Sequence, residues 1–218
     1  MTEPGPASDA VTVRRIDERA AYDAATRDAI LDAAIIAHVG LVGTDSRPIV
    51  IPMAYARDDE TLLLHGSQAS RLLRSGKAGT DLCVTVTLLD GMVLARSTLH
   101  HSMNYRSVVV LGRAVPVEDL DERAAALDLL VEHLTPGQVA ALRPSTEKEL
   151  RSTLVLRLPL EEFSVKLREG GPVDDEEDLD PQIWAGVLPL RTEVGEPVPD
   201  EITAVGIPAH LAGWNRIR

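Results

Sequence analysis

Aromatic residues are scarce in this sequence and make up 3% of its 218 positions, so the core must be built from Val, Leu, Ile and Ala. A single cysteine, Cys83, excludes an internal disulfide and a multi-cysteine zinc site, and it suits a reducing compartment. No apolar run approaches the roughly 18 residues that a membrane helix needs. The first residues lack the basic and apolar regions of a signal peptide. These absences predict a soluble, cytoplasmic protein that does not enter a membrane.

Positive charge is also in short supply, because the formal net charge is -12. Nucleic-acid binding depends on Lys and Arg neutralising phosphates, so a nucleic-acid partner is not expected. A few local cations can still hold a small anionic ligand against an acidic background. The length fits one domain, predicted over residues 14–190, with a flexible arm over 1–13 and a tail over 191–218.

The pattern of apolar and turn-forming residues predicts a mainly β protein. Leu82, Val84 and Val86 alternate with polar residues, as in a half-buried strand. Asp90-Gly91 predicts a two-residue hairpin. Strands are predicted over 35–43, 49–56, 61–65, 82–88, 92–97, 105–117, 153–158 and 162–168, and helices over 17–34, 68–77, 118–134 and after Thr146. Short hairpin connections favour antiparallel pairing, and a sheet of about eight strands tends to close into a β-barrel with flanking helices outside.

The joint between the third strand and the second helix is the first candidate site. His65 is followed by Gly66 and by two serines, Ser67 and Ser70, and then by Arg71. Free N–H groups, hydroxyls and a guanidinium at a helix start can bind an anion. A capped turn with a solvated basic face explains the same residues.

The second candidate is the polar stretch from Leu99 to Val108, at the mouth of an apolar strand. This strand is expected to enter an interface or a pocket, although a polar strand end at the surface is the alternative. Neighbouring residues of a strand point to opposite faces, so His100 and His101 are not expected to share a metal, and no metal site is predicted.

Two further segments carry candidate ligand-binding residues. Pro52 interrupts the strand that contains Ile51, Met53 and Ala54, which predicts an edge or a bulge with free backbone groups. Such groups could bind a flat heterocycle, although an edge strand alone explains the proline equally well. Near the end of the pattern, Ser164, Lys166 and Arg168 alternate onto one strand face. Trp184, one of two tryptophans, could anchor the tail in a pocket.

The order of these segments resembles the pyridoxamine 5′-phosphate oxidase-like flavoproteins, most closely the branch of flavin-nucleotide-binding proteins and nitroimidazole-resistance reductases. The resemblance spans residues 14–190. It is carried by Arg47-Pro48, Ile51-Pro52, Tyr55, His65-Gly66-Ser67, Ser70-Arg71-Leu72-Leu73, Val84-Thr85-Val86, His101-Ser102-Met103-Asn104-Tyr105-Arg106-Ser107-Val108, Gly112, Ser164-Val165-Lys166-Leu167-Arg168 and Trp184-Ala185-Gly186-Val187-Leu188-Pro189-Leu190.

The resemblance implies an FMN-binding split β-barrel of Greek-key antiparallel strands that forms a homodimer, with FMN between the subunits. It assigns His65, Ser67, Ser70 and Arg71 to the FMN phosphate, Ile51, Pro52, Met53 and Ala54 to the flavin ring, and Asn104, Tyr105 and Arg106 to the interface. Lys166 and Trp184 would reach the flavin of the other subunit. His65 resembles the active-site histidine of the nitroimidazole reductases and is the candidate catalytic residue, although the same position could simply support the flavin.

The implied function is an FMN-dependent oxidoreductase acting on a small aromatic or nitrogenous substrate. A flavin carrier, store or sensor without turnover is an alternative, as is the same fold binding the deazaflavin F420 or haem. Leu72 stands where the true pyridoxamine phosphate oxidases have a Lys, and their substrate-binding Arg–His pair is not reproduced by His210 and Arg216. Oxidation of pyridoxamine phosphate itself is therefore not expected.

Overall fold

The computed structural model of the chain describes residues 4–43 and 45–214. Its ten strands are β1 (Ala20–Ala21), β2 (Ile36–Val42), β3 (Pro48–Asp58), β4 (Thr61–Ser67), β5 (Asp81–Leu94), β6 (Ser102–Arg113), β7 (Val115–Pro116), β8 (Thr153–Pro159), β9 (Glu162–Arg168) and β10 (Gly186–Pro189). Its five helices are α1 (Ala24–Ala33), α2 (Arg71–Lys77), α3 (Leu120–Leu134), α4 (Glu147–Ser152) and α5 (Ala209–Ala212). The mainly β prediction is confirmed.

The strands form one antiparallel sheet in the order β1-β9-β6-β5-β2-β3-β4-β8-β7, with β10 added to β5. The long strand β3 joins two halves of this sheet. Its first part, through Ala54, pairs with β2, and its last four residues from Tyr55 pair with β4. The strand order is open at both ends among the described residues, so the expected closure into a complete barrel by hydrogen bonds is not observed.

The sheet nevertheless curls around one core. Buried apolar residues of seven strands, β2 to β6, β8 and β9, belong to a single cluster with α1 and α2. The alternation predicted in β5 is confirmed, because Leu82, Val84 and Val86 are all buried. A second, smaller cluster lies under α3, where Leu130 packs with Leu63 and Val155 on the other face of β4 and β8. α3 therefore packs on the face opposite the main core, as predicted for a flanking helix, whereas α1 and α2 contribute residues to the main core.

The predicted hairpin at Asp90-Gly91 is wrong. β5 runs through both residues without turning, and it pairs with β6 on both sides of a register shift between Leu89 and Gly91. Asp90 is the extra residue of a β-bulge. Glycine suits position 91 because β10 pairs closely with β5 here, and a Cβ would lie 3.1 Å from the carbonyl oxygen of Leu188. A turn-like dipeptide thus marks a bulge inside a long strand.

The helix boundaries differ from the sequence pattern mainly at the first helix. α1 begins at Ala24, where Asp23 caps it by accepting the Thr26 N–H, and residues 17–21 form a short turn and β1 instead. The capping box of Thr146 and Glu149 is confirmed at the start of α4. Val11 of the predicted arm is buried. No helix among the described residues is long and apolar enough to span a membrane.

Candidate functional site

Two clefts lie on opposite faces of β6. The first, which we call the cationic cleft, has a volume of about 440 Å³ and lies between residues 15–19, the start of β6 and the end of β9. Its basic and imidazole groups are Arg15, Arg19, His100, His101, Lys166 and Arg168. So dense a positive lining is unusual for a chain with a net charge of -12.

Arg168 is the buried centre of the cationic cleft, with only 7% of the residue exposed. Its guanidinium donates to the Asn104 side-chain oxygen and to the carbonyl oxygens of Gly170 and Gly171, at 3.3 and 3.0 Å for the two carbonyls. Its Nε is buried without a hydrogen-bond partner, and no carboxylate of the described residues forms an ion pair with it. Burial, and then the charge of Arg19, lower the pKa of Arg168. The positive charge of this arginine is therefore uncompensated.

Three of the predicted site residues meet around this arginine. Tyr105 and Lys166 line the cleft, and Asn104 holds Arg168 from the side while its amide donates to the Gly170 carbonyl at 3.1 Å. The Lys166 ammonium donates to the carbonyl oxygen of Arg15 at 2.7 Å, which ties the N-terminal segment to β9.

Both histidines of the predicted polar stretch line the same cleft. The strand argument that separated them does not apply, because His100 ends a short 3-10 turn and His101 precedes β6. His101 Nδ1 lies 2.9 Å from the Ser97 carbonyl oxygen, and His100 Nε2 lies 3.1 Å from a carboxylate oxygen of Asp175. Each ring thus has one nitrogen engaged.

The second cleft, which we call the paired cleft, is larger, at about 1150 Å³. It lies between the bulge of β5, Arg106 and the C-terminal segment, including Leu190 and Trp214. The Arg106 guanidinium donates to both carboxylate oxygens of Asp90, at 2.9 and 2.7 Å, and these hydrogen bonds raise the pKa of Arg106. Tyr105 and Arg106 face different clefts because successive strand residues point to opposite sides.

Three of the predicted phosphate residues, His65, Ser67 and Ser70, lie in neither cleft. The Ser70 hydroxyl accepts the Leu73 N–H at 3.4 Å, and the Ser67 hydroxyl accepts the Ala69 N–H at 3.1 Å, so both shape the turn before α2. The side chain of Arg71 lies outside the described part of the structure. His65 is half-buried, burial lowers its pKa, and its Nδ1 has no described partner.

The predicted flavin strand lies at an edge, as its proline indicates. Residues 51–54 pair with β2 alone, and Ile51 and Pro52 are exposed. Trp184 is 67% exposed and rests on Gly186 rather than in a pocket. Within one chain the thirteen predicted residues therefore form separate groups.

Sequence reasoning missed Arg15 and Arg19 as lining residues. They reach the cleft because Ala20 and Ala21 of β1 pair with β9, a two-residue strand with no pattern of its own. Arg168 did have a signal, the alternation with Lys166 on one strand face.

Comparison with known proteins gives two kinds of match. A family profile described as pyridoxamine 5′-phosphate oxidase matches residues 23–167. No curated protein matches. Among solved structures, the flavocytochrome Anf3 from Azotobacter vinelandii is 40% identical with a TM-score of 0.91, over 97% of this chain and 99% of the other.

Two more solved structures extend this likeness. The FAD and haem binding protein from Mycobacterium smegmatis is 37% identical with a TM-score of 0.85, over 89% of this chain and 96% of the other. A protein described for 5-nitroimidazole antibiotic resistance, from Bacteroides thetaiotaomicron, shares the fold at 23% identity and a TM-score of 0.58, over 67% of this chain and 85% of the other. The predicted split-barrel fold is confirmed by these neighbours.

Proposed function

Because the chain belongs to the pyridoxamine 5′-phosphate oxidase family, we propose that it is a redox protein that binds a flavin together with a haem. The observation that carries the proposal is the likeness, over nearly the whole of both chains, to a flavocytochrome and to an FAD and haem binding protein. Both relatives are named for these cofactors, and both are more than a third identical to this chain. A bound flavin supplies hydride or single-electron transfer, and a haem supplies single-electron transfer.

The cationic cleft has the chemistry that a haem requires. Imidazole, a common ligand of haem iron, is present in its lining, and the guanidinium of Arg168, which forms no ion pair among the described residues, suits the propionates of the porphyrin. Its volume of about 440 Å³ lies within the range of cofactor pockets. By contrast, neither His nor Met is among the lining residues of the paired cleft in the described part of the chain.

For the flavin, we keep most of the binding site that the family resemblance implies. Residues 51–54 offer an exposed strand edge to a flat ring, and Ser67, Ser70 and Arg71 are proposed for the phosphate. Arg106 and Trp184 are proposed to complete the flavin site across a dimer. Asn104, Tyr105 and Lys166, which the resemblance also assigned to the flavin, lie instead at the cationic cleft proposed for the haem. Of the two flavins, we propose FAD rather than the FMN expected from the sequence, since the M. smegmatis relative is named for FAD.

A homodimer is supported by the apolar side chains that one chain leaves in water. Several lie on the sheet or beside the predicted flavin strand, namely Ile36, Val50, Ile51, Leu89, Met92, Met103 and Leu188. A second copy of the chain would cover them and would bring the separated site residues together. Ile51→Glu should shift the protein to monomer in light scattering, whereas Leu142→Glu, an exposed position on another part of the surface, should not. Equal masses for both variants would count against this interface.

Oxidation of pyridoxamine phosphate is not part of the proposal. Leu72, which stands where those oxidases have a Lys, is fully buried in the core and cannot contact a ligand. His210 bonds to Gln138 at 2.8 Å and is not among the lining residues of either cleft, and Arg216 lies outside the described residues.

The first experiment is an absorbance spectrum of the protein as purified, followed by denaturation and chromatography of the released cofactors. Flavin bands together with a haem Soret band support the proposal, and the released flavin is expected to be FAD. Release of FMN would restore the prediction made from the sequence. Release of F420, or a colourless protein that takes up neither flavin nor haem, would overturn it.

The second experiment asks whether the bound flavin turns over. After anaerobic reduction, mixing with a small nitroaromatic acceptor should reoxidise the flavin rapidly if the protein is an oxidoreductase. A reduced flavin that stays inert would instead favour a carrier, store or sensor. Substituting His65 by Gln tests its candidate catalytic role, because a catalytic His65 predicts slower reoxidation with flavin binding unchanged.

A further inference from the structure

The histidines of the described chain differ in how much freedom they have to bind a ligand. His133 is buried, its Nε2 lies 2.8 Å from the Ala34 carbonyl oxygen, and its ring packs against Tyr55. His210 bonds to Gln138. His38 is exposed on β2, and His65 is half-buried on β4, and neither lines a cleft. His100 and His101 alone combine a cleft position with nearby cations.

The hydrogen bonds of these two rings determine which nitrogen is available. A carbonyl oxygen can only accept, so Nδ1 of His101 carries the proton in its bond to the Ser97 carbonyl. In the neutral ring the lone pair is then on Nε2, which has no hydrogen-bond partner among the described residues. This arrangement, with one nitrogen donating to a backbone carbonyl and the other presenting its lone pair, is typical of metal-ligating histidines.

His100 has the opposite arrangement. Its Nε2 donates to the Asp175 carboxylate, which leaves the lone pair on Nδ1, the nitrogen closer to the backbone. A planar macrocycle approaches that nitrogen less easily than the Nε2 at the tip of the ring. His100 and His101 are therefore neighbours in the same cleft that differ in which ring nitrogen can bind a metal.

The rest of the cationic cleft complements the other parts of a porphyrin. Leu99 and Val173, at 86% and 74% exposure, are large apolar side chains at the cleft that no described residue covers. Arg168, with its unpartnered Nε, and the nearby Arg19 provide positive charge, and neither forms an ion pair with a carboxylate of the described residues. Apolar walls, cations and one oriented imidazole therefore occur together.

We propose that Nε2 of His101 is an axial ligand of haem iron in the cationic cleft, with Arg168 and Arg19 beside the propionates. The assignment rests on the proposed function, since it requires that the chain binds haem.

The test is a titration of haem-free protein with haemin, followed by the Soret and visible bands. The wild-type protein is compared with His101→Gly and with His100→Gly as the matched control. His101→Gly should bind haemin at least about tenfold more weakly, with a shifted Soret band, since even groups one step removed from a metal cost about tenfold or more when lost. Added imidazole should restore the wild-type spectrum in His101→Gly. His100→Gly should keep the wild-type bands.

Three results would overturn the assignment. A wild-type Soret band and affinity in His101→Gly would show that the iron is ligated elsewhere. Loss of the wild-type bands in His100→Gly, with His101→Gly unaffected, would move the ligand to the neighbouring residue. A wild-type protein that retains flavin but takes up no haemin would remove the haem from the proposed function, whereas the two variants test only the ligand. Flavin retention in both variants confirms that they are folded.

Discussion

The cationic cleft and the paired cleft are separated by a single strand, and each contains an arginine. The two arginines differ in whether a carboxylate neutralises their charge. Arg168 is nearly buried and has only neutral partners among the described residues, whereas Arg106 holds both oxygens of Asp90. A buried charge without a counter-ion is costly, so Arg168 supports the anionic ligand proposed for the cationic cleft. A charge that is already neutralised carries no such implication. Whether an arginine already has a counter-ion thus distinguishes a candidate anion site from an internal ion pair. Cleft volume does not make this distinction, because the paired cleft has the larger volume.

The largest expected effect is on haem binding by substitution of Arg168. Arg168→Gln should weaken haemin binding by at least about tenfold, because it removes a desolvated charge-assisted contact. Arg106→Gln, which alters the paired cleft, should leave the affinity unchanged. A haemin titration followed by the Soret band measures both. Arg168→Lys keeps the charge and should bind with intermediate affinity, and equal affinities for the Arg168 and Arg106 variants would remove the distinction between the clefts.

The second prediction concerns the stability of the paired cleft. Asp90→Ala should lower the free energy of unfolding by about 1 kcal/mol, as expected for a bidentate pair that is partly exposed to solvent. A double-mutant cycle with Arg106→Gln, measured by urea denaturation, isolates the interaction. A coupling energy close to zero would mean that the Asp90–Arg106 pair contributes nothing to stability.

A third prediction extends the comparison to a histidine outside both clefts. Burial lowers the pKa of His65 below its ordinary value near 6.5. As the pH falls below the unfolded-state pKa, the unfolded chain binds a proton that the folded chain resists, so the free energy of unfolding decreases. His65→Gln should lose less stability than wild type between pH 7.5 and pH 5.5, measured by urea denaturation without cofactors. Equal losses of the free energy of unfolding in the two proteins would contradict a lowered pKa of His65.

The smallest expected effect is that of Arg19→Gln, which should raise the stability of the protein while weakening haemin binding. Arg19 lies close enough to Arg168 to lower its pKa, so the two charges repel each other in the empty protein. Arg19→Gln should therefore raise the free energy of unfolding of the haem-free protein by roughly 0.3 kcal/mol, the size of a weak surface interaction. The same variant should bind haemin more weakly. A variant that loses stability and also keeps its affinity would show that Arg19 has only a structural role.

The sequence predicted the strands well because their apolar alternation reports directly on a buried face, as in β5. It failed at Asp90-Gly91, since a dipeptide favoured in turns is also compatible with a bulge, and only the pairing of β5 with β6 distinguishes the two. The cationic cleft could be anticipated only in part. Lys166 and Arg168 share a strand face, but Arg19 is brought to them by the tertiary pairing of β1 with β9. His100 and His101 were separated because a 3-10 turn was taken for a strand.

The position of Pro52 has a consequence for self-association. The first half of β3 is paired on one side only within the described residues, and an uncovered strand of this length is a template for adding further strands without limit. Proline has no N–H to offer an incoming strand. A strand added at this edge would lack the hydrogen bond that an N–H at position 52 could donate. The residue that predicted the edge therefore also disfavours extension of the sheet there.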